Sequence, residues 1–435
     1  MNKMRKKVSF VTLGCKVNQY ESNAMAQKFL EAGYDICSVD ERPDIAIVNT
    51  CTVTNIADRK SRQFLRKVKE ENKEAIVVAV GCYVQVAKEK VSQMEEIDLA
   101  LGNVEKKDIV KIVEGYLQNH LNKPEIFDVN NEHEFDEMGL TTYTEKTRAT
   151  IKIQDGCNQF CTYCLIPYAR GRVRSRSKQN ILDEVNKIAK IGIKEIVLTG
   201  IHIASYGKDF DDDYKLIDLL EDLNKIDGIK RIRLGSLEPT SITEEFAKRL
   251  AKLEKICNQF HLSLQSGCNE TLKRMNRKYT CEEFLDVTNI LRKYFKDVNL
   301  TTDIIVGFPG ETEEEFNKTY EFLEKVKFYK MHVFKYSPRE GTVASKMPNQ
   351  IDGKTKELRS QKLIELSNTN QIQYNKTYIG RPIQVLFEEN ANRLWTGYTK
   401  NYIKVHVKSD DNLENKILTV MPERVLEQGL FGNII

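Results

Sequence analysis

The 435-residue chain has no apolar run approaching 18 residues, which excludes a spanning helix. Its first residues, Met1-Asn2-Lys3-Met4-Arg5-Lys6-Lys7, are basic, but no apolar stretch follows them. A secretory leader is therefore not expected, and the chain reads as cytoplasmic. No internal repeat or low-complexity tract interrupts it. A large excess of one charge is missing too: 67 Lys+Arg against 63 Asp+Glu leave +4, so composition alone names no polyanionic partner. With 40% hydrophobic and 30% charged residues the balance is that of a globular protein. At roughly 100–200 residues per domain, the length suits two to four domains. What the chain does have is ten cysteines. Where thiols are kept reduced, disulfides explain them poorly and metal or redox chemistry explains them better.

The pattern along the chain predicts an α/β protein in three parts. Over 1–118, short β-branched runs at Val8–Leu13, Asp44–Asn49 and Ala75–Val80 alternate with amphipathic segments, Tyr20–Ala32 and Asp58–Asn72. That rhythm predicts an open parallel sheet with helices on its faces. Residues 119–145 are acidic and aperiodic and read as a linker. From 146 to 372 the alternation resumes. Its candidate strands are Ala149–Ile153, Glu195–Leu198, Lys230–Leu234, Phe260–Leu264, Asn299–Val306 and Met331–Tyr336, as in a partial (βα)6 barrel. Residues 373–435 hold short alternating strands (Arg381–Glu389, Leu394–Tyr398, Tyr402–Lys408, Ile417–Met421) and predict a small all-β barrel.

Six cysteines fall into two constellations. Cys157, Cys161 and Cys164 form C-x3-C-x2-C just after the first barrel strand. Three thiolates on one short loop can hold three irons of a four-iron cluster and leave the fourth open to a ligand. Zinc knuckles use two C-x2-C pairs, and no second pair exists here. Cys15, Cys51 and Cys82 each follow a strand of the first domain, 36 and 31 residues apart. Parallel sheets bind ligands beyond the carboxyl ends of their strands, so these three can converge on a second metal site. One such cysteine would read as a small buried hydrophobe; three in one domain do not. Cys37, Cys257, Cys268 and Cys281 fit neither set and read as structural.

The barrel triad with aromatic Tyr163 beside its third cysteine resembles the radical S-adenosylmethionine (SAM) enzymes. The segments Thr12-Leu13-Gly14-Cys15-Lys16-Val17-Asn18-Gln19-Tyr20-Glu21-Ser22 and Asn49-Thr50-Cys51-Thr52-Val53-Thr54-Asn55 resemble the methylthiotransferases of that group, as does the whole layout. The resemblance implies a [4Fe-4S] cluster on Cys157, Cys161 and Cys164 that binds SAM and yields a 5′-deoxyadenosyl radical. It implies a second [4Fe-4S] cluster on Cys15, Cys51 and Cys82 that presents sulfur, and SAM as methyl donor and radical source. It places Tyr163 near the adenine and gives the terminal barrel as a TRAM, OB-like, RNA-binding domain. A reduced electron donor of the flavodoxin or ferredoxin type is implied; the sulfur donor is unassigned.

Strand ends of the barrel are then expected to line SAM: Thr199 and Gly200, Glu238, Gln265 and Asp303. For the anticodon loop of a tRNA, basic and aromatic residues are candidates. Arg170, Arg172, Arg174, Arg176 and Lys178 recur on every second residue, five charges along one side if the segment is extended. Arg59, Arg62, Arg66 and Lys69 form a stripe on the Asp58–Asn72 helix, and a merely solvated face is the alternative for both sets. Trp395 and Tyr398 suit stacking on unpaired bases, with Trp395 equally readable as core. By resemblance, Lys16-Val17-Asn18-Gln19-Tyr20 and Gly397-Tyr398-Thr399-Lys400-Asn401-Tyr402 point to the branch acting on threonylcarbamoyl-adenosine at tRNA position 37, with isopentenyl-adenosine as the alternative. A non-catalytic RNA-binding metal protein is the competing class.

Overall fold

A computed structural model describes residues 5–118, 125–138 and 147–435. The chain begins as a five-stranded parallel sheet ordered Asp35–Cys37, Lys7–Thr12, Ile45–Thr50, Ile76–Gly81, Leu99–Leu101. The central strand Ile45–Thr50 is buried along its whole length, which is why it reads as a continuous apolar run rather than an alternating one. The three expected strands are present to within a residue; the two edge strands, three residues each, are too short to leave a periodic signal. Helix Asn55–Glu71 turns Ser61, Leu65 and Val68 inward, whereas Phe64 is exposed.

Of the acidic segment 119–145, only 125–138 lies among the described residues. There Val129 and Met138 are buried, and Glu132 and Asp136 face Lys107 at 3.6 and 3.0 Å.

Six parallel strands follow: Arg148–Lys152, Glu195–Thr199, Arg231–Leu234, Gln259–Gln265, Asn299–Val306 and Lys330–Lys335. They form two three-stranded sheets in chain order, bridged at Ile232–Ile256 and Leu237–Leu262, which makes a partial barrel open between its first and last strands. The largest core fills the space between these strands and their helices, with Ile151, Leu198, Ile232, Leu262 and Ile304 all buried.

Helix Gly353–Lys376 runs through the boundary expected at 372 and leads into a closed barrel of five strands, from Ile383–Ala391 to Gly429–Ile434. Four were expected; the fifth, Gly429–Ile434, closes the barrel beside Lys404–Lys408. This small barrel sits on the amino ends of the large one. Arg231 donates to the Tyr398 and Gln384 carbonyls (2.8 and 3.1 Å), Asn299 to that of Asn401 (2.8 Å), and Arg148 pairs with Glu388 (2.7 Å). Among the described residues no helix is long and apolar enough to cross a membrane.

Candidate active site: two cysteine triads and an adjoining cavity

Cys157, Cys161 and Cys164 occupy the loop between strand Gln154–Asp155 and helix Ile166–Arg170. Gly156 opens this loop at φ +69°, and a Cβ there would lie 1.7 Å from the Arg172 carbonyl oxygen, so only glycine fits. Burial pushes the Cys157 thiol up to about 11 and Cys164 to about 12, and the neighbouring sulfurs push the same way. Thiols so placed are poor free nucleophiles, and as metal ligands a cluster's positive charge would hold them ionised. Arg277 donates from Nη1 to Cys161 Sγ at 3.2 Å and from Nη2 to both Glu238 oxygens at 2.8 Å. Tyr163 packs edge-on against Phe308, its ring closed in with Met275 and Tyr336.

The other triad is assembled from three strand ends. Cys15 follows Lys7–Thr12, Cys51 follows Ile45–Thr50 and Cys82 follows Ile76–Gly81. Asn18 Nδ2 donates to the carbonyls of Leu13 (2.7 Å) and Thr50 (3.0 Å), which ties the first two strand ends together. Gly14, at φ +101°, leaves room for Cys51: a Cβ there would meet its Sγ at 2.7 Å. Burial pushes the Cys51 thiol up to about 11, with Cys82 and Cys15 both close enough to add to the effect. All three cysteines thus lie at the carboxyl ends of adjacent parallel strands, on the sheet edge where the sequence pattern predicts them.

Between the triads lies a buried charge hub. Glu21 accepts from Lys106 (2.6 Å), Lys152 (2.7 Å) and Arg170 (2.7 Å), and Asp155 accepts from Arg170 at 3.0 Å. All five side chains are at most 5% exposed. With Arg174 also 4.0 Å from Asp155, four cations face two carboxylates, an arrangement that leaves surplus positive charge to be matched by something else. Attraction to Arg170, Lys106 and Lys152 outweighs burial and holds Glu21 well below the usual carboxylate range. Sequence reading singled out none of Glu21, Lys106, Lys152, Asp155 or Arg277. The available signal was Asn18 and Glu21 one turn apart on a helix that starts at a strand-end cysteine.

A cavity of about 900 Å³ opens on Cys15 of the second triad and runs along the barrel strands, with Ile166, two residues past Cys164, in its wall. Gly14, Cys15 and Lys16 stand at one side, Thr199, Gly200 and Asp303 on the strands, and Tyr398, Tyr402 and Lys404 of the terminal barrel at the far end. Of the five expected SAM-lining residues, Thr199, Gly200 and Asp303 face this space. Glu238 is committed to Arg277 and lies 3.7 Å from His202, and Gln265 ends its strand in a left-handed conformation, φ +71°. Neither of these two lines the cavity.

Several expected nucleic-acid contacts are corrected. Arg170, Arg174 and Arg176 are buried, not displayed. Helix Ile166–Arg170 breaks the extended register, and the residues that follow pair with Gln154–Asp155 so that their side chains turn toward Asp155 and Glu184. Only Arg172 and Lys178 of that set remain exposed. Trp395 is core: strand Leu394–Thr399 alternates, and Trp395 points into the small barrel beside Phe387 and Val407. Tyr398 stacks on Tyr402 (4.7 Å between centroids), and Arg148 lies 5.0 Å from its ring, so its partners are protein groups. Arg59 is exposed, and Arg62 reaches the Tyr83 hydroxyl at 3.1 Å.

Residues 151–323 match the Radical SAM superfamily, and residues 7–102 match "Uncharacterized protein family UPF0004". The "Threonylcarbamoyladenosine tRNA methylthiotransferase MtaB" of Bacillus subtilis is 39% identical over 428 residues, covering 97% of this chain and 94% of that protein. The chain belongs to the radical SAM methylthiotransferase family. The "tRNA-2-methylthio-N(6)-dimethylallyladenosine synthase" of Alkaliphilus oremlandii is 35% identical over 445 residues, covering 99% of this chain and 93% of that one. Among solved structures, the radical S-adenosylmethionine methyltransferase TsrM from Kitasatospora setae shares the fold, with a TM-score of 0.61 at 14% identity over 79% of this chain and 74% of its own. As a radical SAM methylthiotransferase, the chain uses a [4Fe-4S] cluster and SAM, and the three thiols that Gly156 and Arg277 gather on one loop fit such a cluster.

Proposed function

We propose that this chain converts N6-threonylcarbamoyladenosine at tRNA position 37 to its 2-methylthio derivative. The observation that carries the reading is the single cavity that opens on Cys15 of one triad and on the strand ends beside the other. A C–H bond on the purine ring offers no proton for ordinary base chemistry, so C2 calls for a radical. In this reading Cys157, Cys161 and Cys164 hold a cluster that, when loaded, supplies the electron for SAM cleavage. Thr199, Gly200 and Asp303 face the space where SAM and the base would meet. Cys15, Cys51 and Cys82 hold a second [4Fe-4S] cluster, and the surplus positive charge of the buried hub is the structural feature that suits such an anionic donor set. Residues 1–118 then present the sulfur, 146–372 run the radical chemistry and 373–435 serve as an RNA-binding TRAM domain, joined through the 119–145 linker.

The substrate branch is supported by the cavity wall. His261, Asp303, Lys330, His332, Gln371 and Lys404 form part of it. Hydrogen-bond donors and cations suit a substituent with a carboxylate and a hydroxyl, and leave an apolar isopentenyl group without partners. The full-length likeness to a dimethylallyladenosine synthase keeps that base as the second reading. The enzyme would work in the cytoplasm on the anticodon loop, with a reduced flavodoxin- or ferredoxin-type donor. Mass spectrometry of tRNA nucleosides from cells lacking this protein tests the proposal. Loss of the 2-methylthio group from threonylcarbamoyl-adenosine alone supports it; loss from isopentenyl-adenosine instead overturns the branch.

A further inference from the structure

Arg170 ends the helix that starts two residues after Cys164, and its guanidinium crosses into the first domain. All five of its N–H groups have partners. Nη1 donates to Glu21 (2.7 Å) and Asp155 (3.0 Å), Nη2 to Glu21 (3.0 Å) and Asn18 (2.8 Å), and Nε to Cys82 Sγ at 3.2 Å. A planar fork held at four points cannot swing, so the fifth donor is aimed at sulfur by the other four. The side chain is fully buried, where a directed charge-assisted bond is not diluted by water.

We infer that Arg170 is a positioning residue that fixes Cys82 and raises the reduction potential of the second cluster. The inference rests on the two-cluster reading above. An N–H donor on a ligating sulfur stabilises the form that carries the extra electron, and hydrogen bonds to sulfur are among the settings of cluster potential. The same side chain measures the distance between the sites. Six residues separate Cys164 from Arg170, so the loop that carries one triad is anchored on a sulfur of the other.

The test uses the full chain with Cys157, Cys161 and Cys164 all changed to alanine, so that only the second cluster gives a paramagnetic signal. Its midpoint potential is read by redox titration with electron paramagnetic resonance, with and without Arg170→Lys. Lysine keeps the cation beside Glu21 and Asp155 but cannot satisfy them and Cys82 together. The expected result is equal iron loading and a midpoint shifted to more negative potential, while Arg277→Lys in the same background leaves it unmoved. A loaded Arg170→Lys protein with an unchanged midpoint overturns the inference and spares the two-cluster reading. A background protein without iron overturns both. Should Arg170→Lys fail to load, arginine labelled with 15N at Nε in the background protein decides. A 15N hyperfine coupling at the reduced cluster is expected, and its absence sinks the assignment.

Discussion

The two cysteine triads reach similar ends by opposite routes. Cys157, Cys161 and Cys164 sit within eight residues of one loop, which a glycine turn at Gly156 opens. Cys15, Cys51 and Cys82 span 68 residues and share one edge only because three parallel strands end there. Each triad has one buried arginine on one sulfur: Arg277 on Cys161 and Arg170 on Cys82, both at 3.2 Å and both braced by carboxylates. The local triad depends on loop geometry. The assembled one depends on the registration of a whole sheet and on the hub that binds that sheet to the barrel.

The sharpest way to separate the triads is to remove each in turn. Replacing Cys157, Cys161 and Cys164 by alanine should abolish 5′-deoxyadenosine formation. Replacing Cys15, Cys51 and Cys82 should spare SAM cleavage and abolish methylthiolation, and product from this second variant would show that the roles are wrongly divided.

Next in size is Glu21→Ala, which strands Lys106, Lys152 and Arg170 in the interior. Breaking such a buried network costs about 3–5 kcal/mol. Thermal melting should show the loss, and iron analysis should show the assembled triad emptied before the local one. A melting point within a degree or two of the parent would mean that the hub does not hold the domains together.

The glycines give a smaller and more selective contrast. Gly156→Ala and Gly14→Ala each force a left-handed residue and a clash, worth about 1–3 kcal/mol of local strain. Iron lost at the barrel triad in the first and at the N-terminal triad in the second is expected. The reverse pattern, or equal losses, would erase the distinction between a local and an assembled site.

The smallest effect is at the surface. Arg59→Ala should leave fold and iron untouched and lower the salt dependence of tRNA binding by about one unit of slope, the share of one phosphate contact. An unchanged slope would take the Asn55–Glu71 helix out of the RNA path.

Legibility followed the same division. The local triad and its function were readable because spacing within one loop survives in one dimension. The edge that carries Cys15, Cys51 and Cys82 was readable only through the strand pattern, since β-branched runs that end in cysteine imply an edge before any contact is known. The hub was not readable, because Glu21, Lys152 and Arg170 are charged residues far apart in the chain, and nothing local marks them as buried. The alternating arginines misled for that reason: spacing shows which side a charge is on, not whether that side faces water. Trp395 and Tyr398 show the same limit, since inward and outward positions on a small barrel look alike until its docking face is known.

The terminal barrel grips the amino ends of the large barrel, where Arg148 and Arg233 lie against the stacked Tyr398 and Tyr402, while Cys157, Cys161 and Cys164 lie beyond the carboxyl end of its first strand. Strands of four to eight residues rise about 3.3 Å per residue, so the two ends stand about 13–26 Å apart. A free nucleoside cannot touch both. The loop and stem of the proposed tRNA substrate would be long enough to do so, and the span between the two ends would then act as a caliper on substrate size before any atom of the base is examined.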